Sequence, residues 1–169
     1  MRKQVKHRIY VTRKQRSKEV ESVTLLVRRC VKAALAVEGV DYPCEVNVII
    51  TSDREIQSIN SQTRGVDKPT DVLSFPMFEF RPGHFKADES YADPETGRIF
   101  LGDIVLSLDR VLAQAKKFGH SSQREMAYLI IHATLHLLGY DHKDEGEEKA
   151  RMRRQEKEII RKIGINDNE

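Results

Sequence analysis

One stretch near the carboxyl end of the chain, HATLHLLGYDH at residues 132–142, restricts the possible folds more than any other feature. It contains three of the chain's 6 histidines, and mostly apolar residues surround them. The helical segment that carries it, residues 124–138, is apolar around much of its circumference. A helix that is apolar on nearly all sides is buried at the centre of a fold. We therefore expect the remaining elements to pack around this helix.

The spacing of the histidines predicts a metal site. His132 and His136 are four residues apart on the predicted helix, so their Cβ atoms lie on one face, roughly 5–6 Å apart. This spacing lets a helix offer two imidazoles to one metal ion. His142 can join them only if the helix ends first, because a continuing helix would turn it to another face. Gly139 predicts that end, since glycine adopts the left-handed conformation of a helix C-cap without a Cβ penalty.

Two other roles are open to the three histidines. Buried core imidazoles without partners would cost several kcal/mol in desolvation, and nothing nearby in sequence satisfies all three. A structural zinc usually has four protein ligands, commonly cysteines, whereas Cys30 and Cys44 lie far from the cluster in sequence. Three protein ligands with an open position are typical of a catalytic zinc. Asp141 is expected to support a histidine by a hydrogen bond rather than to bind the metal.

Ala133 separates this stretch from the zinc proteases. The histidines and the glycine match the pattern H-E-x-x-H-x-x-G-x-x-H, but Ala133 occupies the position of the general-base glutamate. Alanine cannot transfer a proton, which argues against peptide hydrolysis by the usual route. A reaction that needs only metal-activated water is still open, because zinc lowers the pKa of water to about 7.

Elsewhere the chain alternates predicted strands and helices. Strands are expected at 5–12, 44–50, 70–78 and 98–108, and helices at 17–37, 52–65 and 124–138. A further helix is expected from the end of the fourth strand to about Phe118, with Gly119 ending it, and a last helix after residue 144. Residues 79–97 lack periodicity and predict a loop, and Pro76 places its strand at a sheet edge. We predict a single α+β domain over residues 1–169, with a small mixed four-stranded sheet packed against about five helices.

Several serines are expected to begin these helices. Ser17 is predicted to cap the first helix, and Ser52 the second. Ser122 and Glu125 fit the capping box that would open the apolar helix. The core side of the last helix is predicted to consist of Met152, Ile159, Ile160 and Ile163.

The composition favours a cytosolic globular protein. No apolar run approaches the roughly 18 residues that span a bilayer, and the N-terminus lacks the apolar segment of a secretory signal. We read Cys30 and Cys44 as reduced, buried thiols. Residues 1–18 form a basic N-terminal extension that includes the first strand and has no acidic side chain. Such a run attracts nucleic-acid phosphates, although a run of charges alone is more often a solvated terminus.

Three segments together resemble the YbeY family of ribosome maturation factors. They are TRGVDKPTDVLSF at residues 63–75, LGDIVLS at 101–107 and HATLHLLGYDH at 132–142, and the resemblance extends over about residues 44–163. The family usually has glycine after the first histidine, where this chain has Ala133; both residues are small and neither is a base. The fold it implies has a zincin-like central helix that carries the metal site.

This resemblance also implies a function. It implies a zinc-dependent endoribonuclease that cleaves single-stranded RNA, with one zinc per chain on His132, His136 and His142. The family role is maturation of the 3′ end of small-subunit (16S) ribosomal RNA and ribosome quality control in the cytoplasm. The expected partners are therefore RNA, the small ribosomal subunit and its assembly factors. No association with a membrane is expected.

Arg64 occupies the position of the family's functional arginine. Cleavage of a phosphodiester builds negative charge on phosphorus, and a guanidinium can pair with two phosphate oxygens at once. Arg64 precedes Gly65, so it can project from a helix end into a cleft. A single arginine is by itself more often solvated on a surface, and the resemblance favours the catalytic role.

Four further polar residues are candidates for the same site. We expect Thr70, Asp71 and Ser74 to line the cleft, with a strand or turn cap as the alternative role of Asp71. Asp103 is expected either to orient a metal-binding histidine or to form a bulge with Gly102. Two competing functions are a zincin-type peptidase and a non-catalytic ribosome-assembly factor with a structural zinc.

Overall fold

A computed structural model describes residues 4–20, 22–141 and 146–165, which form four strands and five α-helices. The strands are β1 (Arg8–Arg13), β2 (Cys44–Thr51), β3 (Val72–Pro76) and β4 (Ile99–Ser107). The helices are α1 (Val23–Val37), α2 (Asp53–Arg64), α3 (Leu108–Phe118), α4 (Ser122–Leu137) and α5 (Glu147–Ile163). The predicted α+β architecture is confirmed.

The sheet is mixed, in the strand order β1-β2-β4-β3. β1, β2 and β4 run parallel, and β3 is antiparallel to β4. β3 is an edge strand, as Pro76 predicts, because proline cannot donate a hydrogen bond to a further strand. Of the described helices, none is long and apolar enough to cross a membrane.

α4 lies in the main core, as its apolar circumference predicts. Ile130, Ile131 and Leu135 are fully buried there, and α4 packs against α1, α3, α5 and the sheet. The other face of the sheet packs against α2 through a smaller apolar cluster of Ile56, Leu73 and Val105. The histidines of α4 are thus carried by the helix that has the largest share of buried residues among the five described helices.

Two predicted helix starts are wrong. α1 begins at Val23 rather than at residue 17, because the hydroxyl of Ser17 accepts the Glu19 N–H in a local turn. α4 is capped by Ser121, whose hydroxyl accepts the Arg124 N–H, and Ser122 is its first helical residue. The capping box of Ser122 and Glu125 is therefore one residue out of register. Ser52 does cap α2, since its hydroxyl accepts the Glu55 N–H.

The other local predictions agree with the structure. Gly119 follows α3 in the left-handed conformation. In α5, Met152 and Ile159 are buried in the core and Ile160 and Ile163 pack against it. The thiols of Cys30 and Cys44 are free and buried, and burial raises the pKa of each to about 12.

The segment between β3 and β4 is irregular apart from a short 3-10 helix, Glu89–Tyr91. Aromatic contacts order it: the ring of Phe78 stacks on that of Tyr91 at a centroid distance of 4.3 Å, and Phe80 lies 5.1 Å from Phe85. Phe78, Phe80 and Phe85 also pack against the main core. The loop is thereby held beside the carboxyl end of α4.

Gly139 ends α4 as predicted, with a φ of +99°. The structure adds a second reason for glycine at this position. A Cβ atom on Gly139 would lie 1.9 Å from the carbonyl oxygen of Phe80. The turn after α4 and the loop after β3 therefore meet backbone to backbone at this residue.

Candidate active site

α4 brings two imidazoles into direct contact. The Nε2 atoms of His132 and His136 lie 3.0 Å apart, and the ring planes are inclined at 83°. Both rings line the same cleft. The spacing of four residues thus produces the convergence that the sequence predicts.

The opposite nitrogen of each ring faces an oxygen acceptor. Nδ1 of His136 is 2.7 Å from the carbonyl oxygen of Tyr140, and Nδ1 of His132 is 2.9 Å from Oε1 of Glu156. A carbonyl accepts but cannot donate, and an ionised carboxylate likewise only accepts, so both Nδ1 atoms carry the proton in the neutral rings. The two Nε2 atoms then face each other with lone pairs. A cation that binds both nitrogens satisfies this arrangement.

The third predicted ligand, His142, lies outside the described residues, so its place in the site stays a prediction. Within residues 4–20, 22–141 and 146–165, no group of three or more His, Cys, Asp or Glu side chains is placed to hold a metal ion. The described part of the site consists of two imidazoles and their hydrogen-bond partners.

Glu156 is a site residue that the sequence reasoning missed. It is 5% exposed, lies on α5 and contacts His132 across 24 residues of sequence. A signal was present, because Glu156 shares the core face of α5 with Met152 and Ile159, where a carboxylate is unexpected. Glu156 also accepts a hydrogen bond from the Tyr128 hydroxyl. Burial is the main cause that raises the pKa of Tyr128 to about 12, and the charge of the Glu156 carboxylate is the second.

Tyr140 is a second residue that the sequence did not single out. Its carbonyl holds His136, and its hydroxyl donates to both carboxylate oxygens of Glu38, at 3.1 and 2.9 Å. Gln155 donates to the same carboxylate at 2.8 Å. Burial, followed by the hydrogen bond to Glu38, raises the pKa of Tyr140. α1 and α5 therefore fix the backbone that orients His136.

The cleft beside the histidines has a volume of about 930 Å³. It runs between β3, the loop after β3 and the carboxyl half of α4. Most of the predicted site residues line it: Arg64, Thr70, Asp71, Ser74, His132, His136 and Asp141. The structure thus places residues that are far apart in sequence around one cleft, with Phe78 and Tyr128 as additional aromatic walls.

Arg64 is the last residue of α2, and its side chain lies along the edge of β3. A terminal nitrogen of its guanidinium donates to the Ser74 carbonyl at 3.1 Å, and its Cζ atom lies 5.7 Å from the centre of the Phe75 ring. The side chain is held at the rim of the cleft and is exposed. A guanidinium held in this way retains donors for an anion in the cleft.

Asp71 caps the start of β3, which is the alternative role that the sequence allows it. One carboxylate oxygen accepts the Val72 N–H at 2.7 Å, and the other accepts the Gln114 amide at 3.3 Å. The hydroxyl of Thr70 donates to the first of these oxygens at 3.4 Å. The two residues therefore form the wall of the cleft where β3 begins.

Asp103 does not reach the histidines. The ladder between β2 and β4 shifts register at a bulge beside Gly102, which is the alternative role expected of Asp103. After the bulge, Gly102 and Ile104 face α4, whereas Asp103 faces the side of α2 and accepts a hydrogen bond from Asn47 at 3.2 Å. Asp103 is also absent from the lining of the cleft.

Ala133 is 1% exposed and belongs to the main core. It packs inward from α4, whereas His132 and His136 face the cleft. Position 133 therefore supplies no proton-transfer group to the site, in agreement with the argument against a peptidase.

Comparison with known proteins identifies close relatives. Residues 9–164 match the family described as endoribonuclease YbeY. The chain is 44% identical to endoribonuclease YbeY of Clostridium tetani over 165 residues, which cover 93% of this chain and 98% of that protein. It is also 44% identical to endoribonuclease YbeY of Lachnoclostridium phytofermentans over 146 residues, or 83% of this chain and 88% of the relative.

A solved structure supports the same relationship. The solution structure of TM1509 from Thermotoga maritima superposes with a TM-score of 0.53 at 28% sequence identity. The match covers 94% of this chain and 91% of that one.

Proposed function

This chain belongs to the endoribonuclease YbeY family of RNA hydrolases, and on that premise we propose that it is a zinc-dependent endoribonuclease for single-stranded RNA. We propose one zinc per chain, held by His132, His136 and His142. Arg64 is the proposed catalytic arginine. Its proposed role in the cell is maturation of the 3′ end of 16S ribosomal RNA and ribosome quality control.

One observation carries the metal-dependent part of this proposal. The Nε2 atoms of His132 and His136 lie 3.0 Å apart, while both Nδ1 atoms face oxygen acceptors. Oxygen acceptors on the far nitrogen are the usual support of metal-binding imidazoles, because they fix the tautomer and raise the basicity of the ligand. The donor set is neutral nitrogen, which suits zinc among the common metals.

The chemistry divides between the metal and the chain. When bound, zinc supplies Lewis-acid activation of water near neutral pH. Arg64 pairs with non-bridging phosphate oxygens and stabilises the negative charge that develops on them. Its hydrogen bond to the Ser74 carbonyl and its contact with Phe75 hold the guanidinium at the rim, which reduces the cost of ordering it.

The aromatic side chains of the cleft also support single-stranded RNA, and not a duplex, as the proposed substrate. Tyr128 is 38% exposed beside His132, with ring centres 5.9 Å apart, and Phe78 forms another part of the wall. Exposed aromatic rings stack unpaired bases without strong sequence preference. A base in a duplex presents no free face to such a ring.

The proposed partners follow from the RNA substrate and the family. They are single-stranded ribosomal RNA, the small ribosomal subunit and the factors that assemble it. We place this activity in the cytoplasm, where the buried thiols of Cys30 and Cys44 suit a reducing environment. The peptidase alternative lacks a base at Ala133, and a structural zinc would not require an arginine at the rim of an open cleft.

Glu156 provides a test of the metal site away from its ligands. Glu156→Leu removes the acceptor from Nδ1 of His132 but keeps an apolar group on the core face of α5. We expect zinc affinity to fall by about 10–100-fold, as for other partners of metal-binding histidines. Competition with a chromogenic chelator measures the affinity. Glu156→Gln retains an acceptor oxygen, so its zinc affinity should fall less. Equal zinc affinity in the wild type, Glu156→Leu and Glu156→Gln would contradict the role of Glu156 in supporting His132.

Metal analysis tests the ligand set directly. We expect the purified protein to contain close to one zinc per chain, and His132→Ala, His136→Ala and His142→Ala each to contain far less. Plasma mass spectrometry measures the metal, with Cys44→Ala as a control at a donor outside the cleft. Full zinc occupancy in His142→Ala would remove that residue from the site. Unfolding of every metal-free variant would instead favour a structural zinc.

A further inference from the structure

A second groove lies on the edge of the sheet opposite the catalytic cleft. Its volume is about 690 Å³, and it forms between the start of β1, the carboxyl half of α1, the residue before β4 and the end of α5. β1 and β3 are the two edge strands, so this groove and the cleft beside β3 lie at opposite sides of the domain. The two share no lining residue.

Cations dominate the second groove. Among the described residues that line it, none is acidic, and the side chains that carry or can carry positive charge are Lys6, His7, Arg8, Lys32, Arg98 and Lys162. Three come from the basic N-terminal run, and the others converge from α1, the start of β4 and α5. The fold thus gathers positive charge from four separate segments, which is costly unless an anion is bound there.

Two details indicate an unsatisfied donor and a positive environment in this groove. Nε of Arg98 is buried and has no hydrogen-bond partner among the described residues. His7 accepts the Cys44 N–H through Nδ1, and burial together with the charge of Lys32 lowers its pKa. A buried N–H donor without a partner costs free energy, which a phosphate oxygen would recover.

We propose that this groove binds the phosphodiester backbone of the RNA substrate at a distance from the cleavage site. This proposal rests on the proposed function, because it identifies how that substrate is held. Among the described residues that line the groove there is no Phe, Tyr or Trp on which a base could stack, and the imidazole of His7 is held by the Cys44 N–H. The groove therefore recognises phosphates and not bases, and its contribution is independent of sequence and dependent on salt.

Such a groove discriminates by substrate length. A short oligonucleotide that fills the cleft cannot also reach the far edge of the sheet, whereas a longer strand can occupy both. The second contact then acts through effective concentration, so it lowers KM for long RNA and leaves kcat unchanged. Short substrates gain nothing from it.

The test compares two double variants with equal loss of charge. Lys32→Ala/Lys162→Ala removes two exposed cations of the groove, and Lys116→Ala/Lys117→Ala removes two exposed cations of α3 that lie in neither site. Binding is measured by fluorescence anisotropy with a labelled single-stranded DNA of about thirty nucleotides, which a ribonuclease does not consume. Each lost phosphate contact reduces the slope of log K against log salt by about 0.7.

For the groove variant we expect about tenfold weaker binding and a slope smaller by about 1.4, with the α3 variant close to wild type. In RNA cleavage, the groove variant should raise KM for long RNA and not for an oligonucleotide of about five nucleotides. Equal losses in the two variants, or none in the groove variant, would overturn the proposal. The proposal would also be overturned if inorganic phosphate competed equally well with DNA strands of every length, because this would indicate a site for the free anion.

The two proposals fail separately in this design. If wild-type protein binds the DNA through the groove but does not cleave RNA, the proposed nuclease function is wrong and the groove is a nucleic-acid site without that role. If RNA is cleaved normally and the groove variant binds like wild type, only the groove proposal is wrong.

Discussion

Arg64→Ala is expected to slow cleavage of single-stranded RNA by a factor on the order of 10²–10³ and to leave the zinc content unchanged. The guanidinium contacts neither histidine, and its structural contacts are a hydrogen bond to the Ser74 carbonyl and the face of Phe75. Its removal therefore takes away charge stabilisation in the transition state without removing a ligand. Single-turnover cleavage of a labelled RNA measures the rate, and mass spectrometry of the same sample measures the metal.

Arg54→Ala is the matched control for this prediction. Arg54 is an exposed arginine on the same helix, α2, and it does not line the cleft. We expect it to cleave RNA at the wild-type rate. Arg64→Lys keeps the charge but cannot pair with two phosphate oxygens in a planar geometry, so we expect it to recover part of the rate. Normal cleavage by Arg64→Ala would show that the catalytic assignment is wrong.

Gly139→Ala is expected to destabilise the protein by about 3–5 kcal/mol. This figure adds the cost of placing alanine at a positive φ to the cost of severe overpacking. The new Cβ would lie 1.9 Å from the Phe80 carbonyl oxygen, so the loop after β3 and the turn after α4 must separate. Tyr140 follows immediately and its carbonyl holds His136, so zinc affinity should fall as well. Chemical denaturation measures the stability, and a chelator competition measures the zinc.

Gly119→Ala separates the two causes. Gly119 also has a positive φ, of +71°, but a Cβ there would meet nothing within 4 Å. We expect this variant to lose only about 1 kcal/mol, the cost of the backbone conformation alone. If Gly139→Ala is no less stable than Gly119→Ala, the backbone contact with Phe80 does not constrain the fold as we describe.

The sequence predicts the central part of the site because that part is local. His132 and His136 are positioned by the helical repeat, and Gly139 ends the helix through its own conformational freedom. No long-range information is needed for these three residues. The family resemblance adds Arg64, which the structure places at the rim of the same cleft.

The partners of the histidines could not be predicted in this way. Glu156 reaches His132 across 24 residues, and the Glu38 carboxylate that holds Tyr140 is 102 residues away. Such contacts depend on how α1 and α5 pack against α4, which periodicity does not determine. Only the unexpected carboxylate on the core face of α5 pointed toward the first of them.

Asp103 shows how one residue of register changes a prediction. Side chains on a strand alternate between its faces, so Leu101 and Asp103 would ordinarily share a face. The bulge beside Gly102 inserts one residue into β4 and reverses that alternation. Leu101 and Ile104 therefore lie in the main core, and Asp103 faces α2. The cap of α4 is predicted one residue late because the adjacent Ser121 and Ser122 offer equivalent hydroxyls, whereas Ser17 does not cap α1 because its hydroxyl belongs to a local turn.

The most direct test of a zinc-dependent ribonuclease is to strip the protein of metal and measure cleavage of single-stranded RNA as zinc is restored. His136→Ala, purified in parallel, controls for contaminating nuclease, and circular dichroism confirms that the stripped protein keeps its fold. We predict that the stripped protein is inactive and that activity rises to a plateau at about one zinc per chain. Cleavage by the stripped protein at the wild-type rate, or equal cleavage by His136→Ala, would contradict this account.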